Sequence, residues 1–239
     1  MGCPWGACEY LSSMPYSPQP AIARMARPTH SKLLDPIEGL EFHEEKHRYR
    51  FKGQWINSSP TTVLGHDMDS YAKQKIEETR HIWQPRGNTL HSCLEQYLLG
   101  SAELDPGEYA DWWEPLKECW LWEDAVVMGV ELRLVDAKAS LAGSTDFLLK
   151  TAKGSVVLGD LKTCATASAT KSRKNADAQL GAYLKMLNQN YPGIYVDRCV
   201  TVVSGPGLCR VISSEPDVCS LAWEDALSKY NAVQDLLGF

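Results

Sequence analysis

No apolar run in the sequence approaches the ~20 residues that a bilayer-spanning helix needs. No basic stretch leads into an apolar one, so no secretory leader is read from it. The opening Met1-Gly2-Cys3 hints at acylation, but Gly6 stands where the myristoylation pattern needs Ser or Thr. None of the 8 cysteines (3, 8, 93, 119, 164, 199, 209 and 219) pairs at C-x-x-C spacing, which argues against a zinc ribbon. Without an export signal they read as reduced thiols in a cytosol-like compartment. There is no P-loop, hence no helicase motor, and there are no internal repeats. Positive charge is also short: 24 basic against 30 acidic side chains give a net −6. The overall field therefore does not advertise a nucleic-acid binder, and such a role would need a local basic patch.

What is present is an ordinary globular composition, 44% hydrophobic and 23% charged over 239 residues. That suits one main domain with a decorated edge. Residues 1–36 carry Pro4, Pro15, Pro18, Pro20 and Pro28 without a sustained period and read as a poorly ordered tail. Met14 and Met25 leave the true start open. The rest, 37–239, reads as one domain, with an N-terminal hairpin and helix over 37–84 and a core over 85–239. Short strands flank Gly53, and Ser58–Thr62 looks like a helix entry with Pro60 in its first turn. Helical spacing covers 69–83, 87–99 and the Trp-rich 106–127. Three strand-like runs follow at 130–135, 142–149 and 155–161, then a helix at 175–190. Strands at 196–203 and 208–212 and a helix at 217–237 close the chain, while 163–172 reads as an Ala/Thr/Ser-rich loop. The order predicts a mixed α/β fold with a central mixed sheet flanked by helices and a core of α-β-β-β-α-β type.

Gly159-Asp160-Leu161-Lys162 is the most informative stretch. Two residues apart on a strand, Asp160 and Lys162 share a face, separated by roughly 6.6 Å along it. Val157 and Leu161 point the other way, so the strand is buried on both sides and its charges need partners. If 142–149 and 155–162 form a hairpin, Asp146 falls opposite Leu158 or Asp160. Two carboxylates that close repel, and a divalent cation with oxygen ligands, Mg²⁺ or Mn²⁺, removes the conflict. Upstream, His91 and Glu95 are i and i+4 on one helix face, and His91 is a candidate imidazole ligand. Downstream, Gln179 and Tyr183 share another face, beside a basic cluster of Lys171, Arg173, Lys174 and Lys185 of the kind a phosphate backbone needs.

Together these residues resemble the PD-(D/E)XK nuclease superfamily in its RecB-type branch. That branch carries a helix His, a G-x-x-D strand, a D-x-K strand and a Q-x-x-x-Y helix in this order. They match His91, Gly143…Asp146, Asp160…Lys162 and Gln179…Tyr183. The likeness is greatest to the mitochondrial genome maintenance exonuclease group and its phage and bacterial relatives, with His47-Arg48-Tyr49, Ser58–Val63 and Val130-Glu131 in the corresponding places. It spans about 42–235. The leading Pro-Asp of the motif is replaced by Gly143-Ser144-Thr145-Asp146, and Cys164 stands where Ser is usual. Some relatives carry an iron–sulfur cluster, but Cys199, Cys209 and Cys219 lack tight cluster spacing.

The resemblance implies a restriction-endonuclease-like core that hydrolyses DNA with Mg²⁺ or Mn²⁺. It implies His91, Asp146, Asp160 and the Leu161 carbonyl as metal ligands, with Asp146, Asp160 and Lys162 catalytic. Gln179 and Tyr183 would position the strand, with Glu131 and Glu95 as secondary candidates. Lys171, Arg173 and Lys174 are assigned to DNA contact from their charge. The implied activity is that of a monomeric exonuclease on single-stranded DNA with free ends, in replication, recombination or repair, alongside proteins of those processes. No membrane is involved, and the setting is a bacterial or phage-host cytoplasm, with a mitochondrial one left open. A structure-specific or restriction-type endonuclease, or a non-catalytic nucleic-acid-binding module, are the alternative readings.

Overall fold

The computed structural model describes residues 28–30, 33–101 and 104–237. Two sheets organise them. The first is built by β2 (Leu40–His43), β3 (Arg48–Phe51) and β4 (Gln54–Trp55), all antiparallel. The β3–β4 turn has positive φ at Lys52 (47°) and Gly53 (83°), the backbone twist that two-residue hairpins favour and that glycine takes freely. Alternation along β2 and β3 directs Leu40, Tyr49 and Phe51 onto Ile56, Val135 and Ala142.

A short helix α1 (Pro60–Leu64) follows. Ser59 caps it by accepting the Thr62 N–H at 3.2 Å, and Pro60 occupies the first turn, as the sequence predicts. Helix α2 (Ser70–Glu78) is capped by Asp69, which accepts the Ala72 N–H at 2.7 Å. Helix α3 spans Arg80–Leu98 with Pro85 inside it. The sequence pattern places the break between these helices near Pro85, whereas the chain turns at Thr79. The exposed side of α3 carries His81 and Pro85, so water can serve the His81 carbonyl that lacks a proline donor. The expected division at 84/85 therefore falls within one continuous helix.

The main sheet has six strands, in the order β1 (Thr29–His30) and then β5 to β9 in sequence. Its centre is an antiparallel meander of β5 (Val126–Asp136), β6 (Leu141–Lys150) and β7 (Val156–Thr163). Strand β8 (Arg198–Gly205) lies parallel to β7, and β9 (Leu208–Ser214) returns antiparallel to β8. The parallel step requires a crossover, supplied by α5 (Ala167–Ser172) and α6 (Asp177–Asn190). Helices α3 and α4 (Ala110–Lys117) cover one face, burying Leu90, Leu94, Trp113 and Leu116 against Phe147, Leu161 and Val202. Helices α6 and α7 (Pro216–Leu237) cover the other, with Leu180, Leu184, Leu187 and Trp223 against Leu134, Leu148 and Leu158. The mixed α/β class and helix-flanked sheet read from the sequence are thus observed. No helix among the described residues is long and apolar enough to cross a membrane.

Three expectations need correction. Within the supposed tail, Thr29–His30 is a strand, β1, parallel to β5, and the Leu34 N–H donates to Met128 O at 2.9 Å. The open edge of β5 supplies backbone partners that compositional reading cannot see; residues 1–27 and 31–32 lie outside the described residues. The stretch 106–127 is not one helix. It breaks into a 3₁₀ turn at Gly107–Tyr109, α4, a second 3₁₀ turn at Trp120–Trp122 and the start of β5. Trp122 is drawn out of helical register into the core, where its indole donates to Leu116 O at 2.7 Å. Finally, the presumed loop at 163–172 contains α5, capped by Thr166 accepting the Ala169 N–H.

Candidate active site

β6 and β7 pair from Lys150–Val156 as far as Phe147–Gly159 and then diverge. Gly159 is required at that point: a Cβ there would lie 1.9 Å from the Phe147 ring. Beyond the split, the backbone N–H of Leu161 donates to Asp146 Oδ2 instead of to a strand carbonyl. Of the two registers the sequence leaves open, Asp146 opposite Leu158 or opposite Asp160, the Phe147–Gly159 pair selects the second, and a carboxylate continues the ladder there. The split opens a cleft of about 890 Å³ lined from both sheets, α1 and α3.

His91 reaches the cleft from α3, its Nδ1 3.2 Å from Asp146 Oδ1. Burial alone would depress this imidazole. The charge and hydrogen bond of Asp146, with Asp160 and Glu131 behind it, outweigh that and bring it up to about 9. Glu131 enters from β5. Burial, then the charge of Asp146, push its carboxyl up to about 7. His91, Glu131 and Asp146 each offer an atom within 4.8 Å of the others'. Glu131, ranked second by sequence, is thus one of three groups suitably placed for a cation. It holds φ +44° inside a strand, a conformation unusual for a non-glycine residue.

Asp160 is 2% exposed. Its Oδ1 accepts from Gln179 Nε2 at 3.1 Å, and its Oδ2 lies 2.7 Å from the Lys162 ammonium. Apart from that ion pair, Oδ2 has no hydrogen bond. Burial raises the Asp160 carboxyl; Lys162 opposes this and Asp146 reinforces it. Gln179 also donates to the Tyr183 hydroxyl at 2.9 Å, and burial beside Asp160 keeps that phenol well above its ordinary range. Leu161 borders the cleft while its side chain is buried in the core, so its contribution there is backbone.

The sequence-predicted His91, Asp146, Asp160, Leu161, Lys162, Gln179 and Tyr183 all line this one cleft, as do Glu131 and Glu95. Lys171, Arg173 and Lys174 do not; they are exposed on α5 and the segment after it. Lys185 instead pairs with Asp136 at 3.4 Å. The cations that do line the cleft beside Lys162 are Arg48 and Arg133. Arg133 escaped the sequence reading, although its place two residues after Glu131 on one strand was a usable signal. The Tyr49 and Ser144 hydroxyls meet at 2.9 Å and tie the small sheet to the site.

Among the described residues the cysteines form no common cluster. Cys119 and Cys209 hydrogen-bond on one face of the sheet, Cys199 and Cys219 on the other.

No family model and no curated protein matches the chain. Among solved structures it is similar to SSO0001, with 14% identity over 72% of this chain and 76% of that one, at a TM-score of 0.40. A likeness that low bears on neither family nor activity.

Proposed function

We propose that this protein is a metal-dependent deoxyribonuclease of PD-(D/E)XK type, cutting phosphodiester bonds in single-stranded DNA with free ends. The observation that carries the reading is the convergence of His91, Glu131 and Asp146 beside a buried Asp160–Lys162 pair. Burying several carboxylates together is costly unless something positive offsets them, and Asp160 Oδ2 is left with one ion pair and no hydrogen bond. The donor set, three carboxylates and an imidazole, suits Mg²⁺ or Mn²⁺. His91, Glu131 and Asp146 would hold such an ion, with Asp160 adjoining. When bound, it would acidify a water and polarise the scissile phosphate.

The chain's own residues do the rest. The Leu161 N–H fixes the Asp146 carboxylate through Oδ2 and leaves Oδ1 toward His91. Gln179 and Lys162 hold Asp160 from its two sides. The Lys162 side chain, 25% exposed, can leave Asp160 for a phosphate oxygen as negative charge builds there. Arg48 and Arg133 supply positive charge along the cleft walls for neighbouring phosphates.

The test is cleavage of linear against closed-circular single-stranded DNA in Mg²⁺, Mn²⁺ or EDTA. Linear DNA should be degraded with either ion and spared in EDTA, while circles persist. Cut circles would make the enzyme an endonuclease, and undiminished hydrolysis in EDTA would overturn the metal-dependent reading.

A further inference from the structure

The small sheet has a second face, pointing away from the core. Register sets Glu41, Arg50 and Trp55 in one row across β2, β3 and β4, with His43 and Arg48 in the next. The Trp55 indole is ringed by cations: Lys46 Nζ lies 4.9 Å from its centroid, and the guanidinium groups of Arg48 and Arg50 lie at 5.3 and 5.9 Å. The His43 ring tilts against it at 4.9 Å, and His43 in turn occupies Glu41 at 3.3 Å. Three cations surround this one half-buried indole in a protein of net charge −6. Arg48 both borders the Trp55 ring and lines the cleft, so patch and cleft are continuous.

We infer that this face is a stacking platform for an unpaired nucleic-acid strand running to or from the cleft. The side chains of Lys46, Arg48 and Arg50 lie over the Trp55 ring, and they would move to the phosphates on either side as one base takes their place on its π-surface. An indole attended by movable cations matches the alternation of aromatic base and anionic phosphate in a single strand. A duplex hides its base faces, and an acidic peptide has carboxylates for the cations but no ring for the indole. The inference rests on the nuclease reading only for what the strand meets beyond Arg48.

The test is fluorescence anisotropy of a labelled thymidine homopolymer in EDTA, where binding is read without cleavage. Trp55→Ala should weaken binding by about tenfold or more, the loss of one stacked base. Trp55→Phe should stay within about threefold of the unmodified protein, and binding of a duplex of equal length should barely change. The thermal unfolding midpoint of Trp55→Ala should stay within a few degrees of that of the unmodified protein and so report an intact fold. Should Trp55→Ala fail to fold, Lys46→Ala with Arg50→Ala should lower the salt slope by about 1.4. Single-strand binding indifferent to Trp55, a Phe variant as weak as the Ala variant, or a glutamate homopolymer that competes equally well with and without Trp55 would each overturn the platform. The two readings fail separately: Trp55-dependent binding with no phosphodiester hydrolysis sinks the nuclease and keeps the platform, and the converse result does the opposite.

Discussion

Glu131 on β5 stands across from Asp146 on β6, between the Val130–Phe147 and Leu132–Thr145 pairs, and it does so with a left-handed backbone. A conformation of that kind costs about 1–3 kcal/mol in a non-glycine residue. A carboxyl raised to about 7 adds a second cost. The unfolded chain ionises Glu131 near its ordinary value, the folded chain only around pH 7, so stability falls as pH rises across that window. Two substitutions separate these costs. Glu131→Gln removes the titration and keeps the strain; it should raise the Tm of the metal-free protein at neutral pH by a few degrees. Glu131→Gly removes both and should gain at least as much. Each should reduce Mn²⁺ affinity by about tenfold or more, measured by titration calorimetry. A destabilised Glu131→Gln with normal Mn²⁺ binding would refute the ligand role.

The same cluster sets a pH dependence for the cation. Glu131 must lose a proton near pH 7 and His91 one near pH 9 before either can serve as a ligand. In the metal-free protein the His91–Asp146 pair stabilises most below the ordinary histidine value and loses its effect as pH rises through about 9. Mn²⁺ affinity should therefore climb from about pH 6 to about pH 9, and binding should release protons. Calorimetry in two buffers of different ionisation enthalpy counts those protons. Affinity flat over this range would show that neither group ligates.

Much of this site was legible because its spacing rules are local. Asp160 and Lys162 share a strand face, Gln179 and Tyr183 a helix face, and the short Thr151–Ser155 connection fixes the register that brings Asp146 to Asp160. What was not legible depends on three dimensions. The left-handed φ of Glu131 leaves no mark on residue type. The tolerance of Pro85 inside α3 depends on which side of that helix meets water, and β1 exists only because β5 offers it an edge. A run of charge carries no direction: the Lys171–Lys174 run lies outside the cleft lining, whereas Arg133 and Arg48 reach the cleft from two different sheets.

That difference gives a direct comparison. Arg48→Ala with Arg133→Ala should lower the salt slope of single-stranded DNA binding by about 1.4, roughly 0.7 per phosphate contact. Lys171→Ala, Arg173→Ala and Lys174→Ala together should lower it by far less, although three charges are removed instead of two. Binding at several salt concentrations in EDTA measures both. A larger effect from the lysine–arginine run would place the DNA track over α5 and away from the cleft.

Lys162 is where a structural and a catalytic role diverge most. Its ammonium sits 2.7 Å from the buried Asp160 Oδ2, so a purely structural role predicts that Lys162→Ala destabilises the fold by leaving Asp160 uncompensated. Asp160 has an escape from that cost, because burial already raises its carboxyl and it can take up a proton. The stability loss should therefore be modest, and smaller at low pH than at neutral pH, where the carboxyl would otherwise be charged. If Lys162 meets charge that develops on the phosphate, its removal should cut the single-turnover rate by about 100-fold or more, about 2.7 kcal/mol, comparable to losing one oxyanion donor. Substrate affinity should change little, since ground-state binding rests on Arg48, Arg133 and the cation. Lys162→Met keeps most of the side-chain volume without the charge and should match Lys162→Ala in rate while being closer to the unmodified protein in stability. Near-normal cleavage in both variants, or a rate loss that disappears once the unfolded fraction is accounted for, would reduce Lys162 to half of a buried ion pair.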